Sequence, residues 1–182
     1  CLEVFTRADT LVASVGTVSE QLDVLLGLFN VHYGRAEIER SLEVARAHLA
    51  LSEKHGSGES RAHCLLGQSY SAMGAFAEAK QHFDKALAMF ARYPEVAGTW
   101  GVMASQHVVT LALSAGVHFA LGEHEQARAA MVEAVERAHA IQHPLSIALA
   151  IVTDTLTPNP GDLQGASERA EEAVRFCARH GL

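Results

Sequence analysis

Histidine is the side chain of this sequence with the clearest potential for chemistry, because eleven of them occur among 182 residues. Neutral imidazole binds transition metals, and two histidines four residues apart on one helix can share a metal ion. His139 and His143 have this spacing. Pro144 interrupts a helix beside them, and no nearby carboxylate or cysteine completes a set of ligands. We therefore predict two exposed polar residues near a helix end there, and no metal or cofactor site.

Motifs of catalysis and of phosphate binding are absent from the sequence. It has no P-loop pattern, no glycine triplet of the dinucleotide type, no Gly-x-Ser-x-Gly and no His-Glu-x-x-His. Adjacent carboxylates such as Glu37 and Glu39 point to different sides of a helix, whereas acid–base catalysis needs groups that converge in a pocket. We predict that this chain is not an enzyme.

The elements that must position any functional side chain are helices, and residues 61–90 show how two of them pair. Leu66-Gly67 is followed by Tyr70, and Gly74 separates this segment from the next. The second segment repeats small or aromatic residues at the spacing of one helix face, namely Phe76, Ala79, Phe83, Ala86 and Phe90. Small residues let two backbones approach and large ones fill the space between them.

This stretch resembles a tetratricopeptide repeat, whose motif positions are held by Leu66, Gly67, Tyr70, Ala79, Phe83 and Ala86. Such a unit cannot bury its faces alone, so the resemblance implies copies on either side. Upstream, Leu26-Gly27 and Gly34 repeat the spacing of Leu66-Gly67 and Gly74. Downstream, four motif positions recur as Gly122, Ala127, Met131 and Ala134, and a weaker copy follows Pro144.

We predict an all-α fold, a right-handed α-solenoid of about nine helices stacked as antiparallel pairs in one repeat domain over 1–182. The predicted elements are a half repeat at 2–15 and helix pairs at 17–55, 60–91, 101–141 and 144–181. Thr17 to Glu20 has the arrangement of a capping box. Loops are predicted at 92–101 and 157–161. Left-handed glycines should end the helices at Gly16, Gly34, Gly56, Gly74, Gly122 and Gly181.

Composition excludes several classes of function. The net charge of −7 argues against a nucleic-acid surface, which needs a basic stripe. No apolar run reaches the roughly 18 residues of a membrane span. Three cysteines suggest no disulfide framework, so a cytoplasmic setting is expected. Lysine is scarce beside alanine and arginine, which indicates a bacterial source. Because the chain starts at Cys1, we expect a fragment of a larger protein.

In tetratricopeptide arrays the first helix of each pair lines a concave groove. The resemblance therefore implies candidate ligand-binding residues on three helices: Gln21 and His32, then Arg61, Gln68 and Ser71, then Val109, Ala112 and Phe119. This surface lacks the lysine, asparagine and arginine cluster with which some family members clamp a terminal carboxylate, so a chaperone-type role is not expected. Several of these residues could instead pack against a neighbouring helix.

The chain also resembles the carboxy-terminal repeat regions of STAND-type ATPases, which accompany class III nucleotide cyclases and transcription regulators as well. The residues that carry this resemblance are Leu66-Gly67, Gly74-Ala75-Phe76, Ala79, Gly122-Glu123, Ala127 and His143-Pro144. It implies a non-catalytic protein-interaction and sensing module of a bacterial signalling or transcription-regulating protein. Its partner would be a protein, a peptide or another domain of the same parent chain.

Two alternatives stay open. The chain could be a receptor that encloses a peptide or small molecule in its concave groove, near Gln68, Val109 and Phe119. It could also associate with itself, because a solenoid exposes apolar end faces and Leu2, Val4 or Phe176 could then hold a homodimer.

Overall fold

The computed structural model describes residues 2–92, 104–156 and 163–182, and within them it contains nine α-helices and no strand. In chain order the helices are α1 (Leu2–Val15), α2 (Val18–Gly34), α3 (Ile38–His55), α4 (Glu59–Ala72), α5 (Phe76–Arg92), α6 (Gln106–Ala120), α7 (His124–Ile141), α8 (Pro144–Leu156) and α9 (Leu163–His180). The predicted all-α fold of sequential helix pairs is confirmed. The loops predicted at 92–101 and 157–161 lie outside the described residues, except for Arg92, which ends α5.

The chain divides into two compact units, Cys1–Ala86 and Leu87–Leu182. In the first unit, α2 packs against α1 and α3, and α3 packs against α4. In the second unit, α6 contacts both α7 and α8, and α8 also contacts α7 and α9. Consecutive helices are therefore neighbours from α1 to α4 and from α6 to α9. No helix of the described ranges is both long and apolar enough to cross a lipid bilayer.

Each unit has its own apolar core. The first is built around the buried side chains of Phe29, Leu42, Ala45, Leu65 and Leu66. The second contains two clusters, one of Leu111, Ala112, Ala115, Met131 and Ala134, and one of Val108, Ala138, Ile147 and Ala150. These residues recur at three- and four-residue intervals along each helix, which is the periodicity that places them on one face.

The start of α2 has the predicted capping box. The Thr17 hydroxyl oxygen accepts a hydrogen bond from the Glu20 amide at 3.3 Å, and the Glu20 carboxylate accepts one from the Thr17 amide at 2.7 Å. These two reciprocal bonds satisfy backbone donors that a helix start leaves free, so this boundary agrees with its sequence signature.

The glycines predicted to end helices in the left-handed conformation differ from the prediction at two places. Gly74 and Gly122 have φ of 77°, in the left-handed region, as expected. Gly34 does not, because it is still the last residue of α2, and Ala36 takes the left-handed conformation instead, with φ of 58°. The prediction for Gly34 is therefore wrong, as is that for Gly16, which also lacks a positive φ.

Exchanging the residue types at these equivalent turns should have effects of opposite sign. We expect Gly74→Ala to lower the free energy of unfolding by about 1 kcal/mol, because a Cβ is strained in the left-handed region. Ala36→Gly should raise it by roughly 0.5 kcal/mol, since relief of the strain exceeds the entropy that glycine loses on folding. Urea unfolding followed by circular dichroism measures both, and two changes of the same sign would contradict this account.

Candidate functional site

Two of the predicted groove residues on α2 bind the chain's own turns. The Gln21 side-chain amide donates to the carbonyl oxygens of Val12 and Gly16, at 3.3 and 3.4 Å. His32 Nδ1 lies 2.6 Å from a carboxylate oxygen of Glu37, and only 12% of the His32 side chain is exposed. Gln21 thus ties α1 to α2, and His32 holds the turn that leads into α3.

Backbone hydrogen bonds at three turns define which residues are equivalent. The amide of Glu37 donates to the His32 carbonyl, that of Ala75 to Tyr70 and that of Glu123 to His118, each at 2.9 Å. His32, Tyr70 and His118 therefore occupy one repeat position, with separations of 38 and 48 residues along the chain. The sequence alignment, which placed the first two copies 40 residues apart, is wrong by two residues in the first pair.

This corrected register changes the groove positions of α2. The α2 residues equivalent to Arg61 and Gln68 are Asp23 and Asn30, which the sequence interpretation missed. Asp23 Oδ1 lies 3.5 Å from Arg61 Nη1, so these two helices face one another at equivalent positions. Asn30 is exposed, and it lies seven residues after Asp23, hence on the same face of α2. We call Asp23, Asn30, Arg61 and Gln68 the first-unit polar face.

The side chains of the first-unit polar face are accessible, and the interactions that they make within the protein are weak. The Arg61 and Asp23 side chains are 36% and 66% exposed. Gln68 is half-buried, and its amide nitrogen donates to the sulfur of buried Cys64 at 3.4 Å. Sulfur is a weak acceptor, so a stronger acceptor from a ligand can replace it at little cost. The predicted candidate Ser71 is half-buried at the end of this helix, and its carbonyl accepts from the Gly74 amide at 3.0 Å.

Two of the three predicted residues of α6 contribute to an apolar surface in the second unit. Val109 and Phe119 are half-buried, and the Phe119 ring lies 5.0 Å from the ring of His124. Ala112 is fully buried in the core, so its side chain is not part of any surface. Gly116 is exposed, and a Cβ built on it meets no atom within 4 Å. Val109, Gly116 and Phe119 are the second-unit apolar face.

The histidines singled out first do not share a helix. His139 is exposed near the end of α7, which stops at Ile141, whereas His143 precedes α8. His143 Nδ1 lies 2.9 Å from the hydroxyl oxygen of Ser146, an arrangement typical of a helix start. Across the described ranges, no group of three or more histidine, cysteine, aspartate or glutamate side chains converges to hold a metal.

Comparison with known proteins supports the repeat assignment. Residues 60–92 match the family model described as Tetratricopeptide repeat. These residues are similar to a tetratricopeptide repeat. The apo form of RapI is a similar solved structure, with a TM-score of 0.72 and 16% sequence identity. The alignment covers 98% of this chain and 59% of RapI, so the chain spans little more than half of that protein. No curated protein sequence matches this chain significantly.

The matched repeat consists of α4 and α5, which places Arg61 and Gln68 on its first helix. The likeness to RapI extends over almost the entire chain at low identity, so it establishes a common fold. The candidate ligand-binding side chains of this chain are accessible on the first-unit polar face and the second-unit apolar face.

The ends of the chain bear on the predicted homodimer. Val4 and Leu11 are 69% and 61% exposed, and their seven-residue spacing puts both on one face of α1. Phe176 is half-buried, with its ring 4.3 Å from that of His180. Exposed apolar side chains are therefore available on α1 and, through Val174 at 69% exposure, on α9. The homodimer stays a prediction that sedimentation at several concentrations can test.

Proposed function

We propose that this chain is a protein-interaction module that binds an extended segment of a partner along the first-unit polar face. The observation that carries the proposal is the ion pair between Asp23 and Arg61, at 3.5 Å, because it shows that α2 and α4 present equivalent positions to one another. Asn30 and Gln68 follow seven residues later on the same two helices.

The side chains of this face suit the backbone of an extended peptide. The amides of Asn30 and Gln68 each offer both donors and acceptors, the complement of a peptide group that lacks an internal partner. The ion pair between Asp23 and Arg61 is exposed, and such pairs contribute only about 0–1 kcal/mol, so either charge is available to a ligand at little cost. Arg61 would then select acidic side chains and Asp23 basic ones.

We infer further that the module is non-catalytic and serves a longer bacterial signalling or transcription-regulating protein. The absence of catalytic motifs from the sequence supports this inference, as does the sequence resemblance to the repeat regions of such proteins. On this proposal the partner is a separate protein, a peptide or another domain of the same parent chain, and binding controls an activity that lies outside these residues.

A peptide or small-molecule receptor is the second candidate, favoured by the second-unit apolar face. Exposed Gly116 leaves open space between the positions of Val109 and Phe119, into which an apolar group of a ligand can fit. The two candidates separate by mutation: a ligand of this face loses affinity on Phe119→Ala and keeps it on Gln68→Ala, while a ligand of the polar face does the reverse.

The proposed function is tested with a displayed library of random twelve-residue peptides, selected against the whole chain. We expect the doubly substituted Asn30→Ala, Gln68→Ala protein to bind the selected peptides at least tenfold more weakly. Two lost hydrogen bonds contribute about 1 kcal/mol each, and 1.4 kcal/mol is a factor of ten in affinity. Isothermal titration calorimetry measures the change.

Gln81→Ala is the matched control for this test, because Gln81 is an exposed amide on α5 and does not belong to the first-unit polar face. It should leave the affinity unchanged, and the far-ultraviolet circular dichroism of all variants should match that of the parent. Selected peptides that bind equally well to the double variant and the parent would show that the polar face is not the site.

A further inference from the structure

Two histidines meet in the first unit. His63 on α4 and His82 on α5 approach through their Nδ1 atoms, which lie 3.0 Å apart. Their ring centroids are separated by 5.2 Å and their planes are inclined by 38°. His63 is 7% exposed, whereas His82 is half-buried and reaches solvent. They are nineteen residues apart in the sequence, so no local motif indicates that they form a pair.

The contact fixes how the two rings share protons. A hydrogen bond between two imidazole nitrogens needs one donor and one acceptor, so one Nδ1 carries a proton and the other presents a lone pair. The second ring presents its own lone pair as soon as its proton moves to Nε2, the other tautomer of a neutral imidazole. Two nitrogen ligands at one point therefore require no change in net charge.

Neighbouring side chains hold this geometry in place. The ring of His82 stacks on that of Tyr70, with centroids 5.4 Å apart and planes inclined by only 10°. The Tyr70 hydroxyl accepts a hydrogen bond from the Arg46 guanidinium at 3.3 Å. His63 is held by burial among its neighbours on α4. Both rings thus lose little freedom when a ligand binds, which is the condition for a preorganised site.

We propose that His63 and His82 form a binding site for a divalent transition-metal ion of the Cu²⁺ or Ni²⁺ class, coordinated through both Nδ1 atoms and completed by water. Imidazole nitrogens lie about 2.0–2.1 Å from such metals. Two nitrogens 3.0 Å apart then subtend an angle of about 95° at the ion. Angles near 90° belong to the tetragonal geometries that Cu²⁺ and Ni²⁺ prefer. The proposal is independent of the peptide-binding function.

The surroundings limit the strength of the site. In the described ranges no third histidine, cysteine, aspartate or glutamate joins the pair, so water must supply the remaining ligands through the exposed side of His82. The ammonium group of Lys85 lies near enough to act electrostatically on both rings, and it opposes the binding of a cation. The expected affinity is therefore modest, and removing the lysine charge should increase it.

The test titrates nickel sulfate into the chelator-treated, tag-free chain and records the heat. We expect one equivalent to bind, with affinity at least tenfold lower in His63→Gln and in His82→Gln. Lys85→Gln should bind severalfold more tightly, an effect that a merely structural histidine pair would not produce. His124→Gln is the matched control, since His124 is exposed on α7 in the second unit, and it should bind like the parent.

A measurement on the parent chain guards against variants that fail to fold. Cu²⁺ added below one equivalent broadens the nuclear magnetic resonance signals of nearby residues, and the proposal expects the strongest broadening around His63 and His82. Broadening centred on His139 and His143, nickel heats that persist in both glutamine variants, or no heat at all would each overturn the proposal.

Discussion

Replacing Gly67 with alanine is expected to destabilise the first unit by about 2–3 kcal/mol, because the new methyl group overlaps a side chain that cannot move away. A Cβ built on Gly67 lies 2.5 Å from Cε1 and 2.6 Å from Cδ1 of Phe83. Phe83 is fully buried, so its ring has no free space to enter. Urea unfolding followed by circular dichroism measures the loss.

The same substitution at Gly116 is the matched control. Gly116 also lies within a helix, yet a Cβ there meets nothing within 4 Å. Alanine is the better helix former by about 0.5–1 kcal/mol, so Gly116→Ala should stabilise the protein. The opposite signs expected at the two glycines isolate the steric clash from helix propensity, and equal effects at both would show that the close approach at Gly67 does not matter.

A second substitution should rescue the first. Phe83→Leu alone removes buried volume and costs stability, but combined with Gly67→Ala it makes room for the added methyl group. We expect the double variant to be more stable than the sum of the two single losses predicts, with a coupling of about 1 kcal/mol or more, in the range found for residues in direct contact. Additive losses would mean that the two positions do not compete for the same space.

This competition for space also explains where sequence interpretation succeeded. The pairing of α4 with α5 could be predicted because Gly67 and Phe83 match the family motif. In this motif a small residue on the first helix leaves a gap, which a large residue on the second helix fills. The helix boundaries at Thr17 and Gly74 could be predicted as well, since Thr17, Glu20 and Gly74 carry local signals that depend only on backbone hydrogen bonding and φ.

The register of the first pair could not be predicted, because the same gap is filled from the opposite side. With a separation of 38 residues, Gly67 corresponds to Phe29 and Phe83 to Ala45, and both Phe29 and Ala45 are fully buried in one cluster. The large side chain has moved from the second helix to the first. A close-packed interior requires a certain total side-chain volume, and either of the two helices can supply it. Matching Leu26-Gly27 and Gly34 to Leu66-Gly67 and Gly74 therefore placed the first copy two positions away from its true register.

The candidate site inherited that slip. The sequence alignment selected Gln21 and His32 on α2. The α2 residues that are equivalent to Arg61 and Gln68 are instead Asp23 and Asn30, and both are exposed. The metal-binding pair was missed for a different reason, since the motif predicts that α4 pairs with α5 but does not say that the side chains of His63 and His82 meet between them. Features that depend on residues close in the sequence could be predicted here, whereas contacts that depend on the packing of two helices could not.

A buried histidine gives the second large expected effect, a loss of stability in acid. His48 is 1% exposed, its Nδ1 lies 3.2 Å from the Ser52 hydroxyl oxygen, and its Nε2 has no hydrogen-bond partner. Burial, with a further contribution from the positive charge of Arg61, lowers the pKa of His48 from 6.5 to about 4. The folded chain therefore keeps His48 neutral over a range of pH in which the unfolded chain protonates it.

The sign of the effect follows from proton uptake. Above pH 6.5 both states leave the imidazole neutral, and stability does not depend on it. As the pH falls from 6.5 to about 4, His48 binds a proton in the unfolded state but not in the folded state, so the free energy of unfolding decreases. One pKa unit corresponds to about 1.4 kcal/mol, so His48 alone should remove about 3 kcal/mol across this window. Burial also lowers the pKa of His63 and that of His82, the latter to about 4, so the parent should lose more.

His48→Leu separates this residue from the other two. Leucine fills similar volume without an unpaired buried nitrogen, and Ser52 can bond the carbonyl one turn back, so stability at pH 7 should be equal or higher. Between pH 6.5 and 4 the variant should lose about 3 kcal/mol less than the parent in urea titrations. His139→Gln, which alters an exposed histidine, should follow the parent curve. If His48→Leu loses as much stability between pH 6.5 and 4 as the parent does, then His48 is not the residue whose protonation on unfolding causes the loss.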